Sequence, residues 1–312
     1  MTLPILIVGA GCRAGIYASL LREQFSDRLR LVGVVSRSRD RAAALAEAEG
    51  VPWALEGDLE DAAHAWEAAG AVVCPSSEAN ARMARRVAAQ GRPFLLETPP
   101  ALEVPEAEAL LAFVSAQGLA VEVAEQNPRG AEASHALDVV RSGRIGEVRM
   151  VACDLASYRY HATAVGRALL GKPRGRRAVA LRARFPDLPE HAATITAGTI
   201  EAEGGRILQV RDGEGLYLEE GPWRSGGWSI YGSEGSLIGG RLTIGGVEEP
   251  VDTGWTEDDD RRAIGRCVDD WLARLGGRAT ETQWSLEDAV EDLRWIDALE
   301  RSARLGGAPI LL

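Results

Sequence analysis

Lysine is almost absent from this sequence of 312 residues: Lys172 is the single one, and every other basic side chain is an arginine. A lysine ammonium group can donate a proton and stabilise negative charge at a reaction centre. The composition therefore excludes a catalytic lysine at nearly every position of the chain. Lys172 itself lies in a segment rich in glycine and arginine, which is more typical of an exposed turn.

Cysteine is also scarce, with residues at positions 12, 74, 153 and 267 and no CxxC pair. This spacing indicates neither a zinc site nor a dense disulfide framework, and it favours a reducing compartment. No apolar run approaches the roughly 18 to 20 residues that a membrane helix needs. The short apolar run at residues 3–8 has no basic residue before it and is more typical of a first strand than of a signal peptide. We therefore predict a cytoplasmic protein without a metal site.

Negative charge predominates, with 46 acidic and 35 basic residues and a formal net charge of -11. Such a chain repels a phosphate backbone and an anionic membrane, so we predict neither a nucleic-acid nor a membrane partner. Apolar residues make up 46% of the chain and charged residues 26%, which is typical of a globular protein. The length fits two domains.

Hydrophobic patterning divides the chain near residue 125. Before it, short runs of Val, Ile and Leu alternate with helical segments, which is typical of a parallel sheet covered on both faces. After it, strands are separated by Gly, Pro and Asp turns, and two long helices close the chain. We predict an α/β protein with a doubly wound parallel sheet in residues 1–124 and an α+β domain with an open, mostly antiparallel sheet in residues 125–312.

A glycine-rich segment, Gly-Ala-Gly-Cys-Arg-Ala-Gly at residues 9–15, follows the first predicted strand and opens the first helix. In this pattern the first glycine allows a tight turn, the second admits a pyrophosphate close to the backbone, and a small residue lets the helix pack on the strand. The helix N-terminus then faces the phosphates. A tight turn without a ligand is the alternative. We predict a Rossmann domain that binds a dinucleotide through Gly9, Gly11, Cys12, Arg13 and Ala14.

Residues at the end of the second strand bear on the choice between NAD and NADP. An NAD site places Asp or Glu there to hold the ribose 2'-hydroxyl, whereas hydroxyls and a guanidinium can bind a 2'-phosphate. NADP is therefore favoured. NAD stays open if Asp40 turns inward, and the arginines alternatively solvate the start of a helix. The residues predicted to hold the phosphate are Ser36, Arg37, Ser38 and Arg41.

A series of short motifs runs through the whole chain, at residues 9–18, 41–46, 71–80, 97–99, 126–129, 143–148, 230–237 and 285–304. In order and spacing they resemble the Gfo/Idh/MocA oxidoreductases, named for glucose-fructose oxidoreductase, inositol dehydrogenase and a rhizopine-catabolism protein. The resemblance implies a dinucleotide domain followed by a domain with an open sheet, commonly buried in a dimer. It also implies hydride transfer to or from sugars, polyols and related carbonyl compounds. We expect a homodimer or homotetramer acting on a small molecule.

The resemblance extends the predicted cofactor site beyond the glycine-rich segment. The further residues that it implies are Cys74, Pro75, Ser76, Asn80, Glu97, Gln126 and Asn127.

The chain departs from the family's pattern at two positions. The family has a catalytic lysine in a Glu-Lys-Pro motif, and Thr98 stands there in this sequence. The family's Asp-x-x-x-His pair aligns with Ser157 and His161, so that serine replaces the acid. A threonine hydroxyl can form a hydrogen bond or relay a proton, but it is a poor acid.

His161 is the best remaining acid or base. It begins a predicted helix, whose dipole favours the neutral imidazole, and tyrosines on either side of position 159 can donate or pass a proton. A histidine satisfied in a helix cap beside packed tyrosines is the alternative. The predicted catalytic residues are His161, Tyr160, Tyr158 and Thr98.

These observations predict an NADP-preferring oxidoreductase that moves hydride between nicotinamide and a small polar carbonyl, alcohol or imine compound. An imine would ease the loss of the lysine, because an iminium carries its own proton. The two substitutions leave a second hypothesis open, a dinucleotide-binding regulator or partner subunit without catalysis. Thr98 and Ser157 are the features that discriminate between these hypotheses.

Overall fold

The computed structural model describes residues 2–155, 159–184, 194–212, 228–251, 256 and 258–312. The chain forms two compact units. The first contains Met1–Gln126 and Arg261–Val290, and the second contains Asn127–Asp260 and Glu291–Leu312. The predicted α/β class, with a parallel sheet and a second, mostly antiparallel sheet, is confirmed.

The first unit is built on six strands: β1 (Leu3–Val8), β2 (Leu29–Ser36), β3 (Trp53–Leu55), β4 (Gly70–Val73), β5 (Phe94–Leu96) and β6 (Val121–Val123). All pairs are parallel, in the order β3-β2-β1-β4-β5-β6. The strand order reverses between β1 and β4, and in such sheets a crevice opens at the carboxyl ends of these strands. The helices are α1 (Cys12–Glu23), α2 (Arg39–Glu49), α3 (Leu59–Ala65), α4 (Asn80–Ala89), α5 (Val104–Ala116) and α8 (Asp259–Leu275).

The core of the first unit includes a helix that lies far along the sequence. Ile5 of β1 and Tyr17 of α1 are buried in one cluster with Ile264, Cys267 and Trp271 of α8. The apolar side of α8 therefore covers residues of the first unit. The predicted domain bounds, 1–124 and 125–312, stay a prediction. The compact units differ from them because residues 261–290 belong to the first unit.

The second unit is built on nine strands among the described residues: β7 (Val148–Leu155), β8 (Gly175–Arg184), β9 (Thr194–Ala202), β10 (Ile207–Asp212), β11 (Trp228–Gly232), β12 (Gly235–Ile238), β13 (Arg241–Ile244), β14 (Val247–Pro250) and β15 (Ile310–Leu311). Their order is β14-β13-β12-β11-β7-β10-β9-β8-β15. Only the β7–β10 pair is parallel among these described strands. The helices are α6 (Ala131–Arg141), α7 (Arg159–Leu169) and α9 (Leu286–Arg304), of which α9 begins in the first unit.

The two faces of the second sheet differ in burial. One face carries buried residues such as Ala180, Leu208 and Ile230, and the Ala180 N–H donates to Ser302 Oγ of α9 at 2.8 Å. Alternate residues on β8, Val179 and Leu181, are on the opposite face and are exposed. The sheet is therefore covered by helices on one face only within the part of the chain that the structure describes.

Candidate functional site

The glycine-rich turn lies at the reversal point of the first sheet, between β1 and α1. The Gly9 N–H donates to the Val35 carbonyl at 2.8 Å, and the Cys74 N–H donates to the Val8 carbonyl at 2.8 Å. Gly9 has a φ of +133°, and a Cβ placed there would lie 2.2 Å from the Cys74 carbonyl oxygen. Only glycine fits this position, because both the dihedral angle and the close approach of β4 exclude a side chain.

The space in front of Gly11 is open, since a Cβ added there meets nothing within 4 Å. Gly11 directly precedes α1, so the first N–H groups of that helix and the positive end of its dipole face this space. Ala14 is fully buried and allows close packing of α1 on the sheet, and Cys12 is exposed. The residues present fit a pyrophosphate.

A cavity begins at this turn and extends along the end of β2. Four predicted residues, Ser36, Arg37, Ser38 and Arg41, line it together with Gly9 and Gly11. The Ser38 N–H donates to Ser36 Oγ at 3.3 Å, which orders the turn between β2 and α2. Asp40 is exposed and lies outside the lining. The end of β2 therefore presents hydroxyl and guanidinium donors to the cavity.

Residues that follow β4 form another wall of the cavity. Pro75 and Ser76, two of the residues predicted to bind the cofactor, line it, and Ala79 and Met83 add apolar surface. Cys74 is buried beneath the turn, where burial foremost and the charge of Glu97 raise the pKa of its thiol well above the usual value. Cys74 therefore supports the turn through its backbone, and the raised pKa keeps its thiol in the protonated form.

The cavity lining also contains a carboxylate, Glu56, which the sequence analysis missed. Glu56 follows β3, and its carboxylate pairs with Arg82 of α4. Because Leu55 is the register partner of Ser36, Glu56 comes directly after the β3 residue beside the end of β2. Recognition of β3 would have found this residue, since polar side chains at the carboxyl ends of parallel strands face the crevice.

Glu97, directly after β5, is a buried carboxylate that joins the glycine-rich helix to Thr98. The Tyr17 hydroxyl donates to Glu97 Oε1 at 2.8 Å, and the Thr98 N–H donates to Oε2 at 3.0 Å. The Arg13 Nε lies 3.6 Å from Oε1. Burial foremost and the charge of Glu97 raise the pKa of the Tyr17 phenol well above its ordinary value, so Tyr17 is the hydrogen donor of the pair.

Two amide side chains complete this cluster. Asn80 Nδ2 donates to the Glu97 carbonyl at 3.1 Å and to the Pro99 carbonyl at 2.8 Å. In the amide orientation that satisfies both of its groups, Gln126 accepts a hydrogen bond from Arg13 Nη2 at 2.7 Å. Asn80 therefore holds the backbone on both sides of Thr98, and Gln126 holds Arg13.

The other predicted catalytic residues belong to the second unit. His161 is the third residue of α7 and is half-buried, while Tyr160 is buried. Their rings make an edge-to-face contact with centroids 5.9 Å apart and an interplanar angle of 76°. Tyr158 and Ser157 lie outside the described residues. His161 lies in the first turn of α7, and its role as an acid or base stays a prediction.

Asn127 and Lys172 lie elsewhere in the second unit. Asn127 begins a short 3-10 turn, Asn127–Arg129, in which Arg129 is fully buried. Lys172 follows the opposite end of α7 from His161, in a turn with a φ of +57°. The helix rises about 12 Å from His161 to Leu169, so the single lysine of the chain lies beyond the far end of this helix from His161.

Within the described ranges, no three His, Cys, Asp or Glu side chains are grouped so as to hold a metal ion. Among the helices of the same ranges, none is long and apolar enough to cross a membrane.

Comparison with known proteins agrees with this geometry. A family profile described as "Oxidoreductase family, NAD-binding Rossmann fold", Gfo/Idh/MocA, matches residues 3–125. No curated protein sequence matches the chain.

Solved structures resemble the chain over its whole length. An oxidoreductase from Agrobacterium radiobacter, in complex with NAD+, L-tartaric acid and magnesium, has a TM-score of 0.85 and 15% identity, with coverage of 100% of this chain and 98% of that chain. A myo-inositol dehydrogenase from Corynebacterium glutamicum has a TM-score of 0.79 and 17% identity, with coverage of 100% and 99%. An aldose-aldose oxidoreductase from Caulobacter crescentus has a TM-score of 0.77 and 18% identity, with both chains covered completely.

At these identities the structural similarity shows the fold alone, and the profile match identifies the dinucleotide domain. The resemblance read from the sequence motifs is confirmed for the dinucleotide domain, since residues 3–125 match the profile of the Gfo/Idh/MocA oxidoreductase family.

Proposed function

We propose that this protein is an NADP-preferring oxidoreductase that transfers hydride between nicotinamide and a small polar carbonyl, alcohol or imine compound. The observation that carries the cofactor assignment is the donor set at the end of β2. Ser36, Arg37 and Arg41 line the cavity there, and Asp40 lies outside it. Hydroxyls and guanidinium groups bind a phosphate by charge-assisted hydrogen bonds, whereas a ribose hydroxyl needs an acceptor.

The remaining residues of the cavity would hold the other parts of the dinucleotide. The backbone around Gly9 and Gly11 and the first turn of α1 would bind the pyrophosphate, because the N–H groups there face open space. When bound, the nicotinamide supplies or accepts the hydride. Arg13 and Glu97 would hold the segment around Thr98 in place through the contacts described above.

Proton transfer falls to His161 in this proposal. An imidazole can give a proton to the oxygen of a carbonyl substrate and take it back in the reverse direction. Tyr160, whose ring packs on that of His161, would orient the imidazole or relay the proton. The Thr98 hydroxyl would provide a hydrogen bond to the substrate but would not act as the acid.

The names of the similar structures support a hydroxylated substrate. Two of the three proteins compared above act on myo-inositol or aldoses by name. A sugar, a polyol or a related compound is therefore the first class of substrate to test. Cyclic imines form a second class, because a protonated imine needs no external acid.

The cofactor assignment is tested by titrating the protein with NADPH and NADH and following nucleotide fluorescence. NADPH is expected to bind at least about tenfold more tightly, a difference of about 1.4 kcal/mol. Arg37→Ala should remove most of this difference by weakening NADPH alone. Arg39→Ala is the matched control, because Arg39 stacks on Trp53 at 5.6 Å and lies outside the cavity lining. Equal affinity of the wild type for both nucleotides would contradict the proposal.

A further inference from the structure

The cavity of the first unit presents three chemically distinct surfaces. Backbone N–H groups of the glycine-rich turn and the donors at the end of β2 suit anionic groups. Val8, Val35, Pro75, Ala79 and Met83 form an apolar surface. Glu56 adds a carboxylate, the only one among the described residues that line this cavity. The proposed binding of NADP uses the donors and leaves Glu56 unexplained.

A carboxylate can only accept hydrogen bonds, so its partner on a ligand must be a donor. The phosphates of a dinucleotide are acceptors and are repelled by it. The adenosine half offers few donors: the hydroxyls of its ribose and the exocyclic amino group of the adenine. A purine base also needs an apolar surface for its ring, and among these groups only the amino group lies at the edge of such a ring.

The position of Glu56 fits a group at the edge of the apolar surface. Arg82 pairs with Glu56 Oε1, and the same Arg82 Nη1 lies 3.5 Å from the sulfur of Met83, one of the apolar residues that line the cavity. One guanidinium nitrogen thus contacts both the carboxylate and the apolar wall. The carboxylate therefore borders the surface on which a flat ring would lie.

Arg86 holds the backbone at Glu56, and Arg82 holds its carboxylate. The Glu56 backbone carbonyl accepts a hydrogen bond from Arg86 Nη1 at 2.7 Å, and Arg86 Nε donates to Glu60 Oε1 at 2.8 Å. Arg82 pairs with Glu56 Oε1, and Glu56 Oε2 accepts no hydrogen bond from the described residues. An ordered acceptor with one oxygen available is suited to select a ligand, because little entropy is lost when the hydrogen bond forms.

We propose that Glu56 Oε2 accepts a hydrogen bond from the exocyclic amino group of adenine, so that Glu56 selects adenine over other purine bases in the bound dinucleotide. The inference rests on the proposed NADP function and adds a specificity-determining residue to it. Hypoxanthine carries an oxygen where adenine carries the amino group. Two acceptors would then face each other, and a nucleotide with this base should bind poorly.

The test compares NADPH with the reduced nicotinamide hypoxanthine dinucleotide phosphate by fluorescence titration. A missing hydrogen bond to a charged group typically costs enough that the wild type should prefer NADPH at least about tenfold. Glu56→Gln should bring the two affinities within about twofold, because an amide can turn either its oxygen or its NH2 toward the base. The hypoxanthine nucleotide should therefore bind more tightly to Glu56→Gln than to the wild type, which a misfolded protein cannot do.

Glu60→Gln is the matched control, since Glu60 pairs with Arg86 nearby but lies outside the cavity lining, and it should keep the wild-type preference. Equal binding of both nucleotides by the wild type, or an unchanged preference in Glu56→Gln, would overturn adenine recognition and leave the proposed function standing. If Glu56→Gln binds NADH more weakly and NADPH more tightly than the wild type does, Glu56 lies at the ribose 2'-position. This result would also overturn adenine recognition. Failure of the wild type to bind any of these nucleotides would refute the proposed function itself.

Discussion

Gly9 and Gly11 share one motif but carry different constraints. At Gly9 the positive φ and the Cys74 carbonyl both exclude a side chain, so the requirement comes from the protein itself. At Gly11 the protein leaves open space, so a requirement for glycine would come from the ligand. A sequence pattern cannot separate these two causes, because it shows glycine at both positions.

Substitution by alanine separates the requirement that comes from the protein from the requirement that comes from the ligand. Gly9→Ala should lower stability by about 1 to 3 kcal/mol and impair NADPH binding, because the backbone must shift away from β4. Gly11→Ala should keep the wild-type melting temperature and bind NADPH at least about tenfold more weakly, since the methyl group occupies the space of the pyrophosphate. Thermal unfolding and fluorescence titration of both variants give the answer. A Gly11→Ala protein with unchanged affinity would place the pyrophosphate elsewhere.

At the scale of single elements, the N-terminus of α6 combines a favourable and an unfavourable carboxylate. Asp259 Oδ2 accepts the N–H of Ala131 at 2.8 Å, which satisfies one free donor of the helix end. Glu132 follows it, and burial foremost, with the charge of Asp259 second, raises the pKa of the Glu132 carboxyl. Because the folded state raises this pKa, the ionised carboxylate destabilises the fold at neutral pH, and the effect disappears as the pH falls below the unfolded value.

Glu132→Gln should therefore raise the melting temperature at pH 7. The gain should shrink as the pH falls and vanish near about pH 3, below the unfolded pKa of about 4.3, because the wild-type carboxyl is then protonated in both states. Glu106→Gln is the control, since Glu106 is an exposed acid in the first turn of α5 and should give no gain. Melting temperatures across this pH range decide the matter, and a Glu132→Gln protein that is less stable at pH 7 would disprove the expected sign.

The elements also show how far the sequence could be interpreted. β1, β2 and β4 were predicted because their apolar runs are long or continuous, and the glycine-rich turn followed from its place after β1. β3 was missed because three residues, Trp53–Leu55, are too short for a periodic signal. Glu56 was missed with it. The place of α8 was missed because sequence order gives no sign that Trp271 is buried with Ile5 of the first unit.

At the scale of the whole molecule, the outer face of the second sheet carries exposed apolar side chains. Leucine and isoleucine side chains on this face are exposed, with Leu181 at 62%, Ile238 at 43% and Leu311 at 80%. Exposed apolar residues that share one face typically mark an interface, and a twofold contact hides them on both copies. A homodimer or homotetramer is therefore expected.

Sedimentation at micromolar concentration should show a species heavier than the 33.3 kDa chain. Leu181→Glu should shift the population toward the monomer, because it places a charge in the apolar contact. Leu102→Glu is the matched control, since Leu102 is also exposed, at 52%, but belongs to the first unit. A wild type that sediments only as a monomer would contradict the expected assembly.

Catalysis is the central claim, and steady-state turnover with saturating NADPH tests it most directly. The wild type and His161→Asn are compared across sugars, polyols, related carbonyl compounds and cyclic imines. A positioned acid typically contributes at least about a hundredfold in rate, so His161→Asn should lose that factor while its NADPH affinity stays at the wild-type value. Thr98→Ala should lose much less, because its hydroxyl provides only a hydrogen bond. A wild type that binds NADPH but transfers hydride to none of these compounds would contradict the account and leave a dinucleotide-binding protein without catalysis.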